Sequence, residues 1–176
     1  MKHGFTQRKR VVKKAVRYKK EIDSLGRSFL YAIHGFLFAV NNERNMRIHL
    51  SAAVFVTEFA LVYGLSGVKL AVLLVLFGLV ISAEMVNTAV EALVNLQTGG
   101  YDHLARIAKD VAAGAVLVLA LVATAVGGIF FLHWDRLIAV WEYLCARPWA
   151  FVVLAVEAAA ALFFIFGWNR RNSPRF

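Results

Sequence analysis

The chain has 176 residues, 60% of them hydrophobic, and a mean hydropathy of +0.64, which excludes an ordinary water-soluble domain and reads as an all-α integral membrane protein. The formal net charge is +9, yet ten of the twenty Lys and Arg residues precede Ser28, so the charge describes a segment held against anionic lipid and not a nucleic-acid surface. The single cysteine, Cys145, excludes an intrachain disulfide.

In chain order, residues 1–27 read as a basic cytoplasmic tail. The stretch "SFLYAIHGFLFAVNNE" over 28–43 places Phe29, Ala32, Ile33, Phe36 and Val40 at helical spacing, which predicts an amphipathic helix in the membrane interface. A turn is expected over "NNERNMRIH". Apolar segments at 50–65, 68–90, 110–132 and 149–168 predict four crossing helices, since an isolated segment must satisfy its own backbone hydrogen bonds in lipid. "GLSG" at 64–67 predicts a tight turn between the first two crossings. "LQTGGYDHLARIAKD" reads as a cytoplasmic connection broken at Gly99 and Gly100, with the third crossing starting near Val111. Small residues in "AAGA" at 112–115 and "AVGG" at 125–128 predict close helix approach. Trp149 and Trp168 bracket the fourth crossing as an aromatic belt. Four crossings from a cytoplasmic N-terminus leave only Lys69, Arg136 and Arg147 outside, as the positive-inside rule prefers.

"SAEMVNTAVEALVN" at 82–95 sets Glu84, Asn87 and Glu91 within one stripe of roughly 60° on a helix. Carboxylates at membrane depth face a protein interior or a wet cavity, and two on one stripe repel unless a proton or cation intervenes. Glu43 stands at the mouth of the first expected crossing, and Lys109 and Asp110 at the start of the third. Carboxylates, an amide and a Lys facing one side of the membrane suit a Mg2+-phosphate site. No Walker loop, kinase glycine loop or zinc-type His spacing is present. The residues alone therefore leave open a membrane enzyme or an ion-coupled carrier with a cytoplasmic acidic site.

"ERNMRIHLSAA", "GLVISAEMVNTAVEALVN" and "YDHLARIAKDVAAGAVLVLA" resemble the prokaryotic diacylglycerol kinase family, and particularly its undecaprenol kinase branch, over about residues 25–132. The resemblance implies a membrane lipid kinase domain over 28–132, made of a surface helix and three spans, assembled as a homotrimer with sites between subunits. Residues 133–176 are then an extension carrying an extra fourth transmembrane helix. If the kinase unit is complete, residues from about 146 onward are dispensable for activity. The resemblance further implies ATP as phosphoryl donor, Mg2+, a lipid alcohol as acceptor, and a multi-pass protein of the bacterial cytoplasmic (inner) membrane with its active site on the cytoplasmic side. Carried over by position, Glu84 and Asn87 are catalytic, Glu84 as general base and Asn87 in support. Glu43 and Glu91 hold the metal. Tyr31, Glu43, Glu91, Tyr101, Asp102, Lys109 and Asp110 contact ATP, and Ser28 and Glu84 meet the lipid. The family usually has Asp at Asn95, Glu at Gly100 and His at Asp102, so the loop departs from the pattern while the base and metal positions hold.

The function expected is ATP- and Mg2+-dependent phosphorylation of undecaprenol. The alternatives are the same chemistry on diacylglycerol, giving phosphatidic acid, and a non-enzymatic scaffold or degenerate kinase. Glu58 and Glu157 lie mid-way along expected crossings and are read first as interhelical partners. With Glu84 they would also serve a proton-coupled carrier, though no inverted repeat supports one.

Overall fold

The polar stretch between the basic tail and the first apolar run is helical with a single break. The computed structural model describes residues 24–97 and 102–167, and six helices lie among them. Helix α1 covers residues 24–42. The chain divides into two units, Met1–Phe38 and Ala39–Phe176. In the first, Phe29, Leu30, Tyr31, Ile33 and Leu37 of α1 are all exposed.

The second unit holds α2 (Arg44–Val62), α3 (Gly67–Gln97), α4 (His103–Phe131), α5 (Trp134–Cys145) and α6 (Pro148–Leu162), the last running on into a π-helical turn at Phe163–Gly167. The turn expected over 41–49 is one residue long. Glu43, at φ −103° and ψ 120°, is the sole extended residue before α2 resumes at Arg44. The connection expected between the second and third crossings is also shorter, because α3 continues to Gln97 and α4 already starts at His103. Polar residues on these turns cap and extend the helices instead of breaking them. Asp102 is the N-cap of α4, its Oδ1 accepting from the Ala105 N–H at 3.0 Å. The breaker Gly99 and Gly100, the tail 1–23, Tyr101 and Trp168 lie outside the described residues.

Gly64 closes α2 as expected from "GLSG". Its φ is +71°, Gly64 N–H donates to Leu61 O at 3.1 Å, and Leu65 N–H donates to Ala60 O at 2.9 Å. This is a Schellman end, which requires the left-handed backbone that glycine adopts without a Cβ clash. Pro148 sits in the first turn of α6, where its missing N–H leaves no bond unmade.

Three helices, and not four, are long and apolar enough to cross a membrane among the described residues: Gly67–Leu96, His103–Phe131 and Pro148–Gly167. The first expected crossing falls on α2, where Arg44, Arg47 and Glu58 dilute the apolar run. Helix α5 was not anticipated, although Trp134, Ile138 and Trp141 repeat at helical spacing and are exposed along it.

Helix α2 packs on α3, α3 on α4, and α2 also meets the π-helical turn after α6. Phe59 of α2 and Tyr63, its C-cap, meet Phe131 of α4 with centroids 5.0 and 5.3 Å apart, an aromatic clasp at one end of the three helices. An apolar cavity of about 400 Å³ lies between these helices, bounded by Ala52, Val56, Phe77, Val80, Ile81 and Ala120. Outward-facing Val75, Leu117, Leu121, Ile129 and Val156 are all exposed, an exterior that suits lipid better than water. A Cβ at Gly114 or Gly127 would meet nothing within 4 Å among the described residues, and Gly127 lines the cavity between α2, α3 and α4. Glu58 of α2 and Glu157 of α6 interact electrostatically and line a second cavity of about 390 Å³ between these helices.

Candidate active site

The stripe on α3 is buried where it carries its polar groups. Glu84 is 1% exposed, Asn87 5% and Thr88 6%, on a helix whose Val86 and Leu93 are exposed. Thr88 Oγ1 donates to the Glu84 carbonyl one turn back at 2.9 Å, so its hydroxyl is satisfied locally. Asn87 Nδ2 donates to Glu91 Oε1 at 3.3 Å, which orients the amide and the second carboxylate together. Among the described residues Glu84 Oε1 and Asn87 Oδ1 are left buried with no hydrogen-bond partner. Two neighbouring acceptors without donors are costly to bury, and they mark where a donor from outside the chain belongs.

Glu43, in the break before α2, brings a third carboxylate within electrostatic reach of both Glu84 and Glu91. Burial holds its pKa above the ordinary carboxylate range, the Glu91 charge adds to this, and the Arg47 guanidinium partly offsets it. Arg47 is itself buried. Its Nη1 donates to Val40 O at 2.9 Å and Asn41 O at 3.2 Å, and its Nε to Ile165 O at 3.4 Å. One side chain thus ties the end of α1, α2 and the turn after α6 around Glu43.

The structure therefore brings together Glu43, Glu84, Asn87 and Glu91. Lys109 joins their edge, its Nζ donating to Asn95 Oδ1 at 2.7 Å, one turn beyond Glu91 on α3. Asp110 pairs instead with exposed Arg106 at 3.7 Å, an i,i+4 contact of small energetic weight. Asp102 is engaged as a helix cap. In the first unit, Ser28 Oγ donates to its own helix at Ser24 O, 3.0 Å away, and Tyr31 is exposed. Sequence reasoning overlooked Arg47 and Thr88. Each lies four residues after a site glutamate, the spacing that stacks one side chain on the next along a helix.

Among the described residues no group of three or more His, Cys, Asp or Glu has the arrangement of a protein-only metal cage. The residues nevertheless fit Mg2+ of the kind shared with phosphates, which takes one or two protein carboxylates and its remaining oxygens from nucleotide and water. The partly buried Glu43 and Glu91, which repel one another, are the pair that would hold it.

The profile of the prokaryotic diacylglycerol kinase family matches residues 30–131, from α1 to the end of α4. The chain belongs to the prokaryotic diacylglycerol kinase family. It is 44% identical over 106 residues to a diacylglycerol kinase of Synechocystis sp., a match covering 60% of this chain and 61% of that relative. The chain thus spans about three fifths of that relative's length. It is 35% identical over 115 residues to the undecaprenol kinase of Bacillus subtilis, covering 65% of this chain and 94% of that protein. No solved structure matches the chain. The family takes its name from a lipid kinase, and both relatives are named as lipid kinases. Helices α5 and α6 lie beyond the family match.

Proposed function

We propose that this protein transfers the γ-phosphoryl group of ATP to the hydroxyl of a membrane lipid alcohol, and that the alcohol is undecaprenol. The observation that carries the reading is Glu84 Oε1, buried and unpartnered beside the equally unpartnered Asn87 Oδ1, in electrostatic reach of Glu43 and Glu91. A lipid hydroxyl is the donor such an acceptor lacks. Glu84 takes its proton as the oxygen attacks phosphorus, and Asn87 fixes the geometry beside it. Glu43 and Glu91 hold Mg2+, which when bound neutralises phosphate charge as the transfer proceeds. Lys109 reaches the nucleotide phosphates, while Tyr31, Tyr101, Asp102 and Asp110 contact ATP further out and Ser28 meets the lipid head. The cavity bounded by Val80 and Ile81, about one turn from Glu84, is room for an isoprenoid chain.

The antiparallel pairing of α2 with α6, through Glu58–Glu157 and Arg47–Ile165, supports α2 as a further crossing beside the three apolar helices. The kinase unit is then α1 at the interface with α2, α3 and α4 across the cytoplasmic membrane, with the site on the cytoplasmic side and α6 as the extra span. The assembly is a homotrimer with sites between subunits. The basic N-terminal tail and the scarcity of Lys and Arg at the opposite helix ends support the orientation.

For the acceptor, undecaprenol rests on the Bacillus subtilis relative, which the match spans almost end to end. The higher identity to the Synechocystis protein favours diacylglycerol as the second reading. Phosphate transfer from labelled ATP to undecaprenol and to diacylglycerol, side by side in mixed micelles, separates them. Undecaprenol is expected as the faster acceptor, and faster transfer to diacylglycerol reverses the assignment.

A further inference from the structure

At the far end of the helices from Glu84 a second, unrelated polar site is formed. The α2–α3 turn, the end of α4 and the start of α5 enclose a pocket of about 160 Å³. Its walls include Tyr63, Ser66, Lys69, His133 and Arg136, drawn from separate elements. Lys69 and Glu84 stand fifteen residues apart on α3, about 22 Å at the rise of a helix, so the pocket is no part of the active site.

The charges of this pocket are uncompensated. Arg136 Nη1 donates to Gly64 O at 3.3 Å, and the guanidinium lies 5.7 Å from the Tyr63 ring. The Lys69 ammonium lies 5.3 Å over the Phe130 ring. These contacts hold both cations at the pocket and leave donors on each of them unused. Among the described residues no carboxylate lies within ion-pairing distance of Lys69 or Arg136. The Tyr63 hydroxyl, on a residue 6% exposed, is buried without a hydrogen-bond partner among the described residues. Two of the three basic residues expected on the outer side of the membrane therefore converge on one pocket, where their mutual repulsion calls for an anion.

Neighbouring α5 indicates where that anion comes from. Trp134, Ile138 and Trp141 are exposed on this short helix, the composition of a segment lying at headgroup depth. At roughly 30 Å³ per water the pocket holds about five water volumes, enough for the five heavy atoms of a phosphate.

We propose that the pocket formed by Lys69, Arg136, Ser66 and Tyr63 binds a phosphate group, supplied by an anionic lipid headgroup of the leaflet opposite the active site. The phosphate oxygens accept from the ammonium, the guanidinium and the hydroxyls. Binding couples the α2–α3 turn to α5 and so anchors the extension, independently of any kinase activity.

The test uses the full chain in neutral detergent with phosphatidylglycerol, phosphatidylcholine or inorganic phosphate, read by native mass spectrometry and by thermal unfolding. The basic N-terminal tail attracts anionic lipid as well, so the readout is the difference between wild type and Lys69→Gln/Arg136→Gln, whose tails are identical. One tightly held phosphatidylglycerol per chain is expected in wild type, bound about thirtyfold more weakly in the double variant. Lys69→Arg, with its charge kept, should retain the lipid and control for folding. Competition by inorganic phosphate would mark a site for any phosphate, and its absence a site requiring the whole headgroup; both keep the phosphate assignment. Equal retention by wild type and double variant overturns it, and equal retention of phosphatidylcholine, which carries the same phosphate beside a choline cation, overturns the requirement for an anionic headgroup.

Discussion

Arg47 Nε donates to the Ile165 carbonyl at 3.4 Å across 118 residues of sequence, while its Nη1 holds the last carbonyls before Glu43. The same guanidinium stabilises the charge of Glu43. The turn after α6, outside the family match, is thereby connected to a residue proposed to hold the metal. The expectation that the extension is dispensable sits poorly with this contact. Arg47→Lys keeps a cation but cannot donate in the same directions, and its effect should fall on nucleotide binding. The KM for MgATP is expected to rise about 10- to 100-fold with a smaller change in kcat. Glu157→Leu, two turns from Ile165 on the same span, should move KM in the same direction. A wild-type KM in both variants would detach the fourth span from the site.

Glu43 gives the account a pH signature. Its pKa is raised by burial and by Glu91, with Arg47 opposing, so the ionised form that holds a metal disappears at a higher pH than for an ordinary carboxylate. The acid limb of kcat/KM should therefore lie above the usual glutamate range, and Arg47→Leu should move it further up. The stability effect has the opposite sense. Because the folded chain holds the Glu43 proton more tightly than the unfolded chain, raising the pH through the interval between the two pKa values destabilises the fold. Glu43→Gln should then unfold at a higher temperature than wild type at neutral pH while losing activity. A lower unfolding temperature would show that the ionised Glu43 is stabilised by its surroundings.

Gly64→Ala tests the joint between α2 and α3. At φ +71° a Cβ strains the backbone although nothing crowds it, so a loss of roughly 1–2 kcal/mol is expected. Thermal unfolding in detergent measures it, with Gly67→Ala, at the first residue of α3, as the nearly neutral comparison.

The polar stripe was legible in the sequence because a helix converts the spacing of Glu84, Asn87 and Glu91 into one face, whatever packs against it. The Gly64 turn was legible for the same local reason. Helix ends were less so. Residues 91–97 and 103–110 carry the polar side chains of a loop, yet helices α3 and α4 propagate through them, and the N-cap Asp102 was read only as a ligand residue. Helix α5 is written as a repeat of Trp134, Ile138 and Trp141, too short and too charged to stand out as an apolar run. Arg47 to Ile165 had no local signal at all, since a side chain meeting a backbone carbonyl 118 residues away leaves no pattern in either segment.

The measurement that tests the central claim most directly is turnover and MgATP binding in Glu84→Gln, side by side with wild type. The amide fits the volume of the buried carboxylate but cannot take the lipid's proton, so turnover should fall by about 10²- to 10⁴-fold with MgATP binding unchanged. Turnover at the wild-type rate would contradict Glu84 as the base.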